Sequence, residues 1–176
     1  GRVLYGYSGS DTHDEAFTFG ANHVQLLANE SFDPDGVLNA FGAGRSFVSN
    51  GPGLVLEVVF DGASLPMGTL QSLSTGQAPS IVTVRAHYDF ASPATITLYR
   101  GRVGDSSESV LCQSGLLSGS GTFECTGVLE LGARSWYRAM ANDASFDQVA
   151  YTNPVFFLPG GCAHTTYGTG LGGANI

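Results

Sequence analysis

From Ile81 onward the chain alternates apolar and polar positions with a period of two. Val82, Val84, Ala86 and Tyr88 fall on one face, and Thr83, Arg85 and His87 fall on the other. That spacing predicts a strand with one buried face and one wet face, and it places His87 toward solvent. Ala91-Ser92-Pro93 then turns the chain into Thr95–Arg100, and Gly101–Glu108 reads as a loop. Further strand-like runs follow at Ser109–Cys112, Thr122–Leu131, Ser135–Ala141 and Gln148–Phe157. Turn signals recur about every eight to twelve residues, the rhythm of an antiparallel, Ig-like β-sandwich. Residues 81–158 are assigned to it, with Trp136 and Tyr137 as aromatic core anchors. Pro154 has no N–H to give a ladder, which predicts an edge strand there.

Upstream the pattern differs. Residues 3–7 are apolar at consecutive positions, as in a strand covered on both faces. Residues 14–22 read as a loop, and His23–Leu27 as a short strand. Asp33 is a helix N-cap with Pro34 at the first helical position, where a missing N–H costs nothing. Val37, Leu38 and Phe41 predict one apolar helix face, ended by Gly42 or Gly44. Phe47-Val48 and Leu54–Phe60 are strand-like on either side of Asn50-Gly51-Pro52-Gly53, a turn signal. Residues 63–80, with an exposed-looking Leu65-Pro66-Met67, read as a linker or long loop, and 159–176 as a flexible Gly-rich tail.

Composition narrows the function classes. Only 12% of the 176 residues are charged and 25 are glycine, which suits a turn-rich β protein. The net charge is −8, and the seven basic residues are all arginine. Phosphate-backbone binding depends on a basic surface, so nucleic acid is not an expected partner. No apolar run is long enough to span a membrane as a helix. Gly1-Arg2-Val3 does not read as a signal peptide, so an export signal is expected upstream if the protein is exported.

Cys112 and Cys125 flank a small polar stretch, 113–121, suited to a hairpin loop. They read either as a disulfide, which would indicate an extracytoplasmic or secreted location, or as two buried thiols on neighbouring strands. Cys162 is left over in the tail and has no ligand-spaced partner pair for a zinc ribbon.

The candidate chemistry lies near the start, in Ser8-Gly9-Ser10-Asp11-Thr12-His13-Asp14. On an extended backbone residues i and i+2 share a side, so Asp11 and His13 can converge on one ion such as zinc, manganese or iron. Asp14 can orient His13 from behind. The plainer alternative is a turn closed by an Asx hydrogen bond. His23 can reach the same pocket or serve as an ordinary strand residue. Arg45 either balances the negative end of the helix or meets a bound anion.

Several phrases together carry a resemblance. Gly9-Ser10-Asp11-Thr12-His13-Asp14, Ala43-Gly44-Arg45, Phe47-Val48-Ser49-Asn50-Gly51-Pro52 and Thr152–Phe157 resemble the C-terminal part of metallohydrolases of the polymerase-and-histidinol-phosphatase (PHP) superfamily. The similarity is to the CehA/McbA-like branch, over about residues 3–62. In that family a distorted β/α barrel precedes a β-sandwich, and the Asp-x-His pair is the last metal-binding motif. The resemblance implies a mainly β chain in which 1–62 is the remnant of a metallohydrolase barrel. It also implies divalent metal ions held in part by Asp11 and His13, and a small-molecule ester, carbamate or phosphoester substrate. The family's early His-x-His pair and its remaining ligands are not in this sequence, so the missing upstream barrel segment is the implied partner. Two ligands fall short of the three or four a site needs, and the chain alone is expected to be silent. The other class in play is a non-catalytic β-sandwich module for binding or adhesion.

Overall fold

The structure is a computed structural model, and it describes residues 5–7, 22–74, 80–129 and 132–160. These form a mainly β body with one short helix. The elements are β1 (Asn22–Val24), α1 (Pro34–Gly42), β2 (Ser46–Ser49), β3 (Gly53–Phe60), β4 (Ala63–Pro66) and β5 (Leu70–Ser72). They continue with β6 (Ser80–Arg102), β7 (Ser109–Leu129), β8 (Ser135–Asp143), β9 (Val149–Thr152) and β10 (Val155–Leu158). All ten strands belong to one sheet, whose main path runs β1-β2-β9-β8-β6-β3-β4.

β6 organises this sheet. Its 23 residues would extend roughly 75 Å if straight, far beyond any core this chain can build, so it must bend. The corner lies at Ala91-Ser92-Pro93, where the register with β7 slips from Phe90↔Gly119 to Ala94↔Leu117. β7 follows one edge of β6 through the corner. The other edge is divided, with β3 along 83–89 and β8 along 94–102. The bend therefore folds the sheet on itself and brings β3 close to β8 and β9.

Between the two arms lies one apolar core. β3 contributes Leu54, Leu56, Val58 and Phe60, and β6 contributes Val82, Val84, Ala86, Ile96 and Leu98. Of the positions the alternation picks out, Val82, Val84 and Ala86 are buried and Tyr88 is half-buried. Tyr137 and Phe157 close the far side edge to face, with ring centroids 6.0 Å apart.

The structure departs from the sequence expectations at several places. Residues 113–121 are not a hairpin loop but the bent middle of β7, still paired with β6. The stretch 63–80, expected as a linker, holds β4 and β5. Asp61 and Gly62 both take positive φ (49° and 77°), which suits the tight hairpin from β3 into β4. Met67 is fully buried, and the core runs unbroken from Phe47 to Phe157 across that stretch. Pro154 is not on an edge: it sits in the break between β9 and β10, and each of these is paired on both sides. Trp136 and Tyr137 are successive, so they point to opposite faces. Tyr137 is buried, whereas Trp136 lies on the outer face over Gly101, where a Cβ would overlap the indole.

The helix also differs. Asp33 caps it as expected, its Oδ1 accepting from the Gly36 amide at 2.7 Å. Yet Leu38 is 62% exposed, and Gly36 and Ala40 are the buried positions. The backbone of Ser31 passes so close to Gly36 that only a residue without a Cβ fits. Residues 5–7 belong to no strand, and 3–4 lie outside the described residues.

Candidate functional site

Asp11, His13 and Asp14 lie outside the described residues, as does Cys162. What the structure gives is the root from which the first three extend. Tyr5 donates its hydroxyl to the Gly68 carbonyl at 2.7 Å, and Tyr7 donates to the carbonyl of Phe41 at 2.7 Å. Between them the Gly6 amide donates to Asn153 Oδ1 at 2.7 Å. The Tyr7 ring stacks on Phe41 with centroids 4.6 Å apart and planes 13° from parallel. The segment is thus fastened to the end of α1, to the β4–β5 connection and to the β9–β10 break. Burial raises the Tyr5 phenol above its ordinary value, and the neighbouring Tyr7 adds to this. Both phenols therefore remain donors at neutral pH.

His23 stands on β1 opposite Phe47 of β2 and stacks flat on its ring, 4.7 Å between centroids and 10° between planes. It is exposed, and its position is that of a cross-strand pair. Arg45 forms an ion pair with Glu30, at 13% and 22% side-chain exposure respectively. Glu30 in turn accepts from the Leu27 amide at 2.8 Å, and the Arg45 carbonyl accepts from the Gln25 amide at 2.8 Å. The carboxylate already neutralises the guanidinium and ties the loop after β1 to the start of β2. Arg45 is thus committed to Glu30, a partner that neither of its two expected roles included.

Cys112 and Cys125 form a disulfide. They lie on one strand, 13 positions apart, and their Cα atoms are 6.6 Å apart. A straight strand would separate them by roughly 43 Å. The bridge therefore joins the two arms of the bent β7 and fastens the corner along the sheet's edge.

Two polar clusters on the outer face were not among the residues expected to matter. In the first, Glu57 accepts from Ser64 Oγ at 2.5 Å and lies 2.8 Å from His87 Nε2, while His87 Nδ1 lies 3.0 Å from Thr122 Oγ1. Arg85, opposite Glu57, pairs with Glu124 at 2.9 Å. His87 faces solvent as the alternation predicted, but it is bonded on both ring nitrogens. Burial would raise the Glu57 carboxyl. The hydrogen bonds from Ser64 and His87, with the charges of His87 and Arg85, outweigh it and leave the group below its ordinary value.

In the second cluster, Glu108 accepts from Trp136 Nε1 at 2.8 Å and from Arg138 Nε at 2.8 Å, and also from Arg138 Nη2. Arg138 lies 4.5 Å above the Tyr99 ring. The outward positions of paired strands could have pointed to both clusters, since Glu57↔Arg85↔Glu124 and Tyr99↔Arg138 share rows once the register is known. The register itself is not in the local sequence.

Among the described residues no three His, Cys, Asp or Glu side chains come together as a metal site would require. Asp11 and His13, which lie outside the described residues, would supply two donors at most, fewer than a structural or catalytic ion takes from protein. The described part of the chain thus does not fit a complete metal centre. No helix among the described residues is long and apolar enough to cross a membrane. Compared with protein-family models, curated proteins and solved structures, the chain finds no match.

Proposed function

We propose that this chain is the closing portion of a metal-dependent hydrolase acting on ester, carbamate or phosphoester bonds. In this reading Asp11 and His13 contribute two ligands and the β body is the scaffold that holds them. The observation that carries the reading is the fastening of residues 5–7. Three hydrogen bonds, to Gly68, Asn153 and Phe41, hold the chain four residues before Asp11. A turn with no further role gains little from being rooted at three separate places, whereas a ligand pair needs its backbone positioned. Asp14 then orients His13, and Arg45 stays bound to Glu30 as part of the scaffold. An upstream barrel segment supplies the remaining ligands, and the disulfide fits an extracytoplasmic location.

The test compares the 176-residue chain with the same chain joined to the sequence upstream of it in its gene. The longer protein is expected to bind zinc, manganese or iron stoichiometrically and to hydrolyse generic ester or phosphodiester substrates. Asp11→Ala should abolish both, while the short chain stays silent. Metal-dependent turnover that survives Asp11→Ala would overturn the assignment of the ligand.

A second reading, a non-catalytic β module for binding or adhesion, is favoured by the unbroken core from Phe47 to Phe157. It predicts that the longer protein binds no metal through Asp11 or His13.

A further inference from the structure

Among the described residues β7 pairs with β6 alone, so no strand covers its other edge along Ser109–Leu129, although the Val128 carbonyl accepts from the Tyr137 hydroxyl at 3.1 Å. Such edges are normally blunted by lysine, proline, charge or short length, because their free N–H and C=O groups template another strand. β7 carries few of these devices. It is 21 residues long, and 109–129 contains no Lys, Arg or Pro and one acid, Glu124. Its arms are held to each other by Cys112–Cys125, so pairing with a further strand would order little that is not already fixed.

We propose that the Gly119–Leu129 arm of β7 is a homotypic interface, where two copies of this chain pair antiparallel with Glu124 of one opposite Thr126 of the other. Any antiparallel copy matches the edge in donors and acceptors, so side chains choose the register. The row Glu57–Arg85–Glu124 ends at the edge in a carboxylate that is 55% exposed. Glu124 opposite itself would set like charges face to face, which is destabilising. A slip of two residues sets it against Thr122 or Thr126. Thr122 is already bonded to His87, which leaves Thr126 to donate its hydroxyl to the neighbouring carboxylate. The same register puts the exposed Val128 across from Thr122. A two-fold pairing of this kind closes on itself and stops at the dimer. Backbone pairing along one arm buries less than the roughly 1,200 Å² of a stable complex, so the dimer is weak and exchanges quickly.

The experiment is analytical ultracentrifugation of the 176-residue chain from low micromolar to near-millimolar concentration, beside Thr126→Glu and Thr126→Lys. Thr126 is exposed, and near-ultraviolet circular dichroism verifies that both variants fold. The expected result is a monomer–dimer equilibrium. Thr126→Glu should weaken it at least about tenfold, and Thr126→Lys should keep or tighten it by facing Glu124 of the other copy. A monomer at every concentration, species larger than a dimer, or two variants acting alike would overturn the proposal. So would concentration-independent protection of the outer β7 amides from hydrogen exchange, which would mean that another part of the chain covers the edge.

Discussion

Asn153 holds Gly6 by both of its backbone polar groups. Its Oδ1 accepts from the Gly6 amide at 2.7 Å and its Nδ2 donates to the Gly6 carbonyl at 3.3 Å, across 147 positions of sequence. The side chain copies what a neighbouring strand would supply, at the point where β9 breaks before β10. The same Nδ2 reaches Ser46 Oγ at 2.9 Å, and the residue is 4% exposed. One buried amide thus couples the root of the Asp-Thr-His stretch to two strands of the sheet.

Asn153→Ala should therefore do more than remove a contact. It leaves the buried Ser46 hydroxyl without its Asn153 donor, at a cost of about 1–3 kcal/mol, and releases the exposed Gly6 to water. Chemical denaturation should register that loss. Hydrogen exchange should show the Gly6 amide opening while Val84 and Leu56, deep in the core, stay protected. Equal loss of protection at all three would mean that Asn153 supports the whole body and not the segment it holds.

The disulfide makes a second prediction. Removing it with Cys112→Ser and Cys125→Ser together frees the two arms of β7 in the unfolded chain, at a cost of about 3 kcal/mol for a loop of this size. In the native state the loss should fall on the corner, with Phe123 and Leu111 the first core neighbours to loosen. A reduced protein with unchanged melting temperature would show that the β6–β7 ladder suffices to hold the bend.

Much of the β body was legible because local signals and tertiary demands agreed. Alternation in β6 and the Asp33-Pro34 helix start depend on neighbours within a few residues, and both appear where the pattern placed them. The misplaced features depend on partners far away in sequence. Nothing near 113–121 says that the strand goes on through a corner, because its pairing with 88–97 sets that. Leu65 and Met67 read as exposed since their burial comes from lying against β3, which brings them into the common core. The helix face differs for a related reason, since the close approach of the Ser31 backbone requires glycine at Gly36, and the buried side chain of the helix is Ala40, not its larger apolar neighbours. For the candidate site, the spacing of Asp11 and His13 suggests chemistry, but the anchors that root them are Asn153, Gly68 and Phe41, none near them in the chain.

Gly44 tests one of those long-range dependencies. Its φ of +72° is one that side chains rarely adopt, and the Tyr5 ring occupies the space a Cβ would fill. Gly44→Ala should cost about 1–2 kcal/mol from the backbone alone, with more from displacing Tyr5. A Tyr5→Ala, Gly44→Ala double variant separates the two, because the steric part disappears once the ring is gone. Strictly additive losses by urea denaturation would show that the ring and the glycine do not compete.

Acid should act through Glu108. Burial would raise its carboxyl, but hydrogen bonds from Arg138 and Trp136 and the Arg138 charge hold it below the ordinary 4.5. The charged form is thus favoured in the folded state more than in the unfolded one. The stabilisation it brings is complete above the unfolded value and fades as the pH falls through the lower, folded value. Glu108→Gln keeps an acceptor for Trp136 and removes the charge. The variant should be less stable than the parent by roughly 1–3 kcal/mol near neutrality, where Arg138 loses its partner. The gap should narrow as the parent's own carboxylate is protonated in acid. Melting temperatures taken from neutral pH down to about pH 3 measure that convergence. Parallel curves would mean that the Glu108–Arg138 pair contributes nothing that depends on its charge, and that the pH response comes from other carboxylates, with Glu57 the first to try.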